Sequence, residues 1–156
     1  MSTATHHDAE IVLRLYELRR EPTMRKARNY MVQEFWPRSA DDVIKLANAW
    51  GTEQNAYFRQ VTSWCEMCST LPLSGAVNAD LYADWNGEIL FVFAKFKPLL
   101  PELREKYNPG FLGNTERFVE RNRAAQERVE KMLPRIAKMA EEQKNQGARK
   151  PGFSKG

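Results

Sequence analysis

A chain of 156 residues holds material for one compact domain and a tail, because a second core would leave each half short of buried surface. Apolar residues are 42% and charged residues 28%, which excludes collagen-like, mucin-like and wholly disordered classes. The net charge of +4 lies in the tail, where Lys144, Arg149, Lys150 and Lys155 meet no acid; the 20 basic residues before them match all 20 acids, so the body is neutral.

Ile11, Val12, Leu15 and Leu18 recur at helical spacing, and Asp8 can cap a first helix over residues 8–20. Glu21-Pro22 breaks it, since Pro22 disfavours a helical residue before it yet suits the first position of the next helix. That second helix is expected to run to about Trp36, with Met24, Ala27, Met31 and Phe35 as its apolar stripe. Ser39 opens a third, helped by Asp41 and Asp42 at the positive end of the helix dipole; Val43, Ile44, Ala47 and Trp50 form its predicted inner face, and Gly51 ends it. Thr52 caps a fourth helix over 53–70, which buries Tyr57, Val61, Trp64, Cys65 and Cys68, with Pro72 beyond its end.

Leu73-Ser74-Gly75 reads as a turn, and Asn78 starts a short helix carrying Leu81 and Trp85 up to Asn86-Gly87. The apolar run Ile89–Phe96 has strand propensity, but no partner strand exists elsewhere, so it is read as a central helix ending at Pro98. A shorter helix follows over 101–106. Asn108-Pro109-Gly110 is a loop, after which Asn114 or Thr115 starts a long polar helix toward Gln143. Along it Phe118, Asn122, Ala125, Val129, Met132, Ile136 and Met139 make a heptad-like seam, with a kink or split expected at Pro134. The expected organisation is an all-α bundle of about five to seven helices over residues 1–143, flexible over 1–7, with a basic, disordered tail over 144–156.

No stretch reaches the roughly 18–20 apolar residues of a membrane helix. The N-terminus has neither the basic start nor the apolar core of a signal peptide, so a cytoplasmic chain with no membrane partner is expected. Cys65 and Cys68 then meet a reducing environment, where a structural disulfide is not expected.

Few groups carry chemistry. Cys65-Glu66-Met67-Cys68 has zinc or redox spacing, and His6 and His7 would complete four ligands, but the thiols fall mid-helix on one face and read as buried and inert. Asp80, Asp84, Asn86 and Gly87 suggest a calcium loop, yet placing Gly87 sixth puts Tyr82 and Phe93 at ligand positions, which defeats it. Neither histidine follows a glutamate by three, so a carboxylate di-metal bundle is excluded. No catalytic residue, metal or cofactor is assigned. Arg59, Glu66 and Glu116 lie on or beside apolar faces and suggest an internal charge cluster. Arg19, Arg20, Arg25, Lys26 and Arg28 span the break at Pro22, with Glu17, Glu21 and Glu34 nearby; a solvated or salt-bridged face is expected, and a basic interaction face is the alternative.

Leu15-Tyr-Glu-Leu-Arg19-Arg-Glu21, Arg25-Lys-Ala-Arg28, Asn55-Ala-Tyr57-Phe-Arg59 with Trp64-Cys-Glu66-Met, and Gly75-Ala-Val-Asn78 leading to Leu81-Tyr82 together resemble a group of short helical bacterial proteins known as a domain of unknown function. The likeness spans about residues 9–120. It implies an all-helical scaffold, supplies no activity, and does not require cysteines at 65 and 68. The resulting expectation is a non-enzymatic helical interaction or scaffold protein, self-associating through Val129, Met132 and Ile136 or meeting a protein partner. One alternative is a nucleic-acid or acidic-partner module using Arg19–Arg28 and the tail. The other is a small-ligand sensor or enzyme with a pocket near Glu66.

Overall fold

The computed structural model describes residues 3–148, which form a single packed all-α domain with no strand among them. Its α-helices are α1 (His6–Arg19), α2 (Pro22–Asn29), α3 (Ala40–Ala47), α4 (Glu53–Leu73), α5 (Ala79–Trp85), α6 (Gly87–Phe96), α7 (Leu100–Lys106), α8 (Gly113–Arg121) and α9 (Arg123–Ala148). A π-helical turn, Tyr30–Glu34, continues α2, and a 3-10 turn, Lys97–Leu99, joins α6 to α7.

Side chains fix most starts. Thr5 and Asp8 form a reciprocal capping box on α1, and Asp8 also accepts from the Asn78 amide at 2.6 Å, tying the first helix to the start of α5. Ser39, Thr52 and Asn78 cap α3, α4 and α5, satisfying amides that would otherwise be orphaned. Pro22 occupies the first turn of α2, where its missing N–H costs nothing, while Glu21 accepts from Met24 N at 2.8 Å.

Burial explains why Ile89–Phe96 is helical. Within it Ile89, Leu90, Val92, Phe93, Ala94, Lys95 and Phe96 are all buried, so α6 is enclosed almost all round, against α9, α8 and the π turn. Phe58 of α4, Phe96 of α6 and Phe111 form one aromatic cluster with centroids 5.6–6.4 Å apart, and Tyr82 meets Phe118 edge-on at 4.9 Å.

Several boundaries differ from the sequence expectation. The second helix does not stay α-helical to Trp36, because a π turn takes over at Tyr30 and ends at Glu34. Trp50 is not on an inner face: α3 ends at Ala47, Gly51 turns at φ +83°, and Trp50 is left 68% exposed. Leu18 is exposed rather than core. Pro72 lies inside the last turn of α4. The long C-terminal helix is divided at Asn122, whose backbone is extended, and runs unbroken through Pro134. Asn122 donates to Asp80 Oδ1 at 3.0 Å and accepts from Ala125 N at 2.9 Å, so one side chain ends α8, caps α9 and docks both on α5. α1 already starts at His6, and α9 continues past residue 144 to Ala148; the rest of the expected basic tail, 149–156, lies outside the described residues.

Candidate functional site

Two clefts among those of the described residues lie along α4. One side of this helix, Phe58, Val61, Cys65 and Cys68, faces the core. A second carries Arg59, Thr62, Ser63 and Glu66, which with Tyr107, Asn108, Gly110, Phe111 and Leu112 enclose a cleft of about 380 Å³. Glu66 is the anchor of that cleft. Its Oε2 accepts from Asn114 N at 3.0 Å, and its Oε1 accepts from Thr115 N at 3.0 Å and Thr115 Oγ1 at 2.9 Å, which caps α8 from another helix. Leu112, just before α8, sits at φ 52°, in the left-handed region that L side chains avoid, and its side chain is buried.

The Arg59, Glu66 and Glu116 cluster does not form as one unit. Arg59 is exposed and lies over the Trp50 ring, 4.7 Å from its centroid. Glu116 pairs with Arg104 at 2.6 Å, and the same guanidinium donates to the Phe111 carbonyl. Glu66 and Glu116 therefore brace the same loop from two sides through different partners.

The second cleft, about 420 Å³, lies where the α1–α2 break meets α4 and is lined by Leu18, Glu21, Met24, Gln60, Ser63, Trp64 and Met67. Leu18 is 47% and Met67 50% exposed. The cleft is apolar because Leu18, Met24, Trp64 and Met67 converge there, and its one acid, Glu21, already caps α2. The Met24 N–H holds the Glu21 carboxyl below its ordinary range.

The basic face divides into two. Arg28 and Arg19 both reach Glu88 at the start of α6; Arg28 engages both carboxylate oxygens and also donates to the Arg19 carbonyl at 3.2 Å. These two arginines are partly buried ties between α1, α2 and α6. Arg20, Arg25 and Lys26 stay exposed; Arg20 lies 5.8 Å from the Tyr16 ring centroid, and Arg25 donates to the Arg20 carbonyl at 3.2 Å.

The C-terminal seam is covered from within the chain: Ala125, Val129 and Ile136 are buried, Met132 is half-buried, and α9 lies against α6, α8 and α5. Cys65 and Cys68 are free thiols in the core; burial raises Cys65 well above its ordinary value and pushes Cys68 up to about 12, so neither is a thiolate at neutral pH. His6 and His7 are exposed on α1, and no three metal-ligating residues converge among the described residues.

The sequence reading missed Lys95. Its ammonium is buried and donates to the carbonyls of Met31, Val32 and Phe35 at 2.7, 3.2 and 2.9 Å, with the Trp36 ring centroid 3.8 Å away. A lone lysine within the apolar run Ile89–Phe96 was the available signal, because such a position is tolerated only where acceptors surround the charge. Here the acceptors are carbonyls at the C-terminal end of the π turn, so the lysine closes the end of one helix from inside another.

No curated protein and no solved structure matches the chain. A family model does match, and it covers residues 4–122, from the α1 cap to the Asn122 hinge ahead of α9. With well over half of its length so matched, the chain belongs to the family described as Domain of unknown function (DUF4760).

Proposed function

We propose that this protein is a non-enzymatic helical adaptor that receives an acidic, amphipathic helix of a protein partner in the cleft between the α1–α2 break and α4. The observation that carries this reading is the exposure of Leu18 and Met67 in a cleft that Met24 and Trp64 also line. Apolar side chains left open together mark association surfaces, and methionine and tryptophan suit a groove that must adapt to an incoming helix. Charge selects the occupant. Arg20 and Arg25 neighbour the lining residues Glu21 and Met24 in sequence and form no ion pair among the described residues; Arg25 itself lines a separate cleft with Lys26 and Tyr30, while Glu21 is engaged by its own helix. An acidic flank on the partner would complete them. An acidic helix fits the exposed part of the basic face better than nucleic acid does, because Arg19 and Arg28 are committed to Glu88.

The test is selection from a display library of the host's own helical segments. Acidic amphipathic sequences are expected, with binding lost at least about tenfold in Met67→Glu and weakened in Arg25→Glu. Selected helices that are basic, or that bind Met67→Glu as well as the parent, contradict it.

A further inference from the structure

The α4 face opposite the Tyr107–Leu112 segment carries a ladder of three chemistries: a cation at Arg59, hydroxyls at Thr62 and Ser63, and an anion at Glu66. We propose that this cleft binds a free α-amino acid, its carboxylate on Arg59 and its ammonium on Glu66 and the hydroxyl oxygens. The free donors and acceptors support this polarity. The hydroxyls of Thr62 and Ser63 donate to the carbonyls of Phe58 and Gln60 at 2.8 and 3.2 Å, which leaves their oxygens as acceptors. Glu66 Oε1 takes two hydrogen bonds but Oε2 takes one, leaving an acceptor position on Oε2. Arg59 has only the Trp50 ring and no carboxylate among the described residues.

Both charges in one cleft decide between ligand classes. A simple anion at Arg59 would leave the Glu66 acceptor unused and feel its like charge across the cleft, and a simple cation at Glu66 would do the same toward Arg59; a zwitterion engages both. Arg59 and Glu66 are seven residues apart on one helix, about 10 Å along the axis, a span that Arg59 turned from the Trp50 ring, Glu66 and a small dipolar molecule between them can close. The volume of about 380 Å³ is near the lower end of ligand clefts and fits a small ligand. On the far wall Tyr107 meets Phe111 edge-on at 6.0 Å, an apolar surface for the ligand's side chain. Leu112, held left-handed beside it, is the strained backbone often found where a binding loop must be fixed.

The experiment titrates the full chain with each of the proteinogenic amino acids at millimolar concentration and follows the backbone amides of Gly110 and Leu112 by NMR. At least one amino acid should shift both. Its analogue lacking the amine, its analogue lacking the carboxylate, and the Arg59→Gln variant should each bind about tenfold or more weakly. Arg59 is exposed, so the unliganded variant is expected to keep the parent spectrum elsewhere in the core. The proposal is overturned if no amino acid shifts these amides, if either analogue binds as well as the amino acid, or if Arg59→Gln binds unchanged. None of these readouts depends on Met67 or a protein partner.

Discussion

Lys95 shows how one residue can govern both geometry and pH response. Burial lowers its ammonium to about 7, against an ordinary value of 10.5. The unfolded chain therefore keeps a proton that the folded chain has released between those values, and stability rises with pH across that window. The core thiols act in the opposite sense. Cys65 and Cys68 are raised from 9.0, and Tyr82 is raised from 10.0 by burial, so their contribution is intact below these values and is lost as the unfolded groups ionise. Urea unfolding across alkaline pH should show stability climbing from about pH 7 to a maximum near 9 and then falling. Lys95→Met should abolish the rising limb and cost about 2–4 kcal/mol, because it strands carbonyls that now have a partner. A flat profile in the parent would contradict this assignment. Backbone strain gives a second test at this scale. A methyl group at Gly51 would meet open space, but the backbone there has a φ of +83°. Gly51→Ala should therefore cost about 1–2 kcal/mol through backbone conformation alone, read as a lower unfolding midpoint.

At the scale of elements, much was legible because the signals are local. Ser39, Thr52 and Asn78 mark starts that need only a side chain and amides a few residues on, and Pro22 marks a break through its own ring. What escaped depends on partners distant in sequence. The π turn answers to Lys95, sixty or more residues away, and the division at Asn122 answers to Asp80, though the heptad spacing runs straight through it. The basic stretch is legible as a solvated or salt-bridged face, but its partner Glu88, which claims two of the arginines, lies sixty or more residues away. The pocket near Glu66 was partly legible, since a glutamate between Cys65 and Met67 on a central helix stands out; its use as the α8 cap required the fold. These caps carry measurable weight. Asn122→Ala should cost about 1–2 kcal/mol and loosen amide-exchange protection at the start of α9 first. Glu66→Ala should cost about 2–3 kcal/mol, since it frees two α8 amides at once. Equal stability of Asn122→Ala and the parent would show that Asp80 and the cap are incidental.

Across the whole molecule, α9 and the two clefts divide the labour. α9 spends its apolar face on α6, so Val129 and Ile136 are already covered, and light scattering of the isolated protein is expected to show no dimer built on that seam. The α1–α4 cleft keeps apolar groups open, and the Arg59–Glu66 cleft keeps the Arg59 cation and one acceptor position of Glu66 open. The aromatic cluster and α6 hold the fold together, and under the proposed adaptor function the exposed edge of α4 is left for a partner. The most direct measurement of that division is photo-crosslinking in the native host, with the reactive side chain placed at Met67 and, as a control, at the exposed Glu130 of α9. Crosslinks from Met67, absent from Glu130, to an acidic amphipathic helical peptide of one partner are predicted. Equal yields from the two positions, or a Met67 adduct on a basic or non-helical segment, would contradict the account.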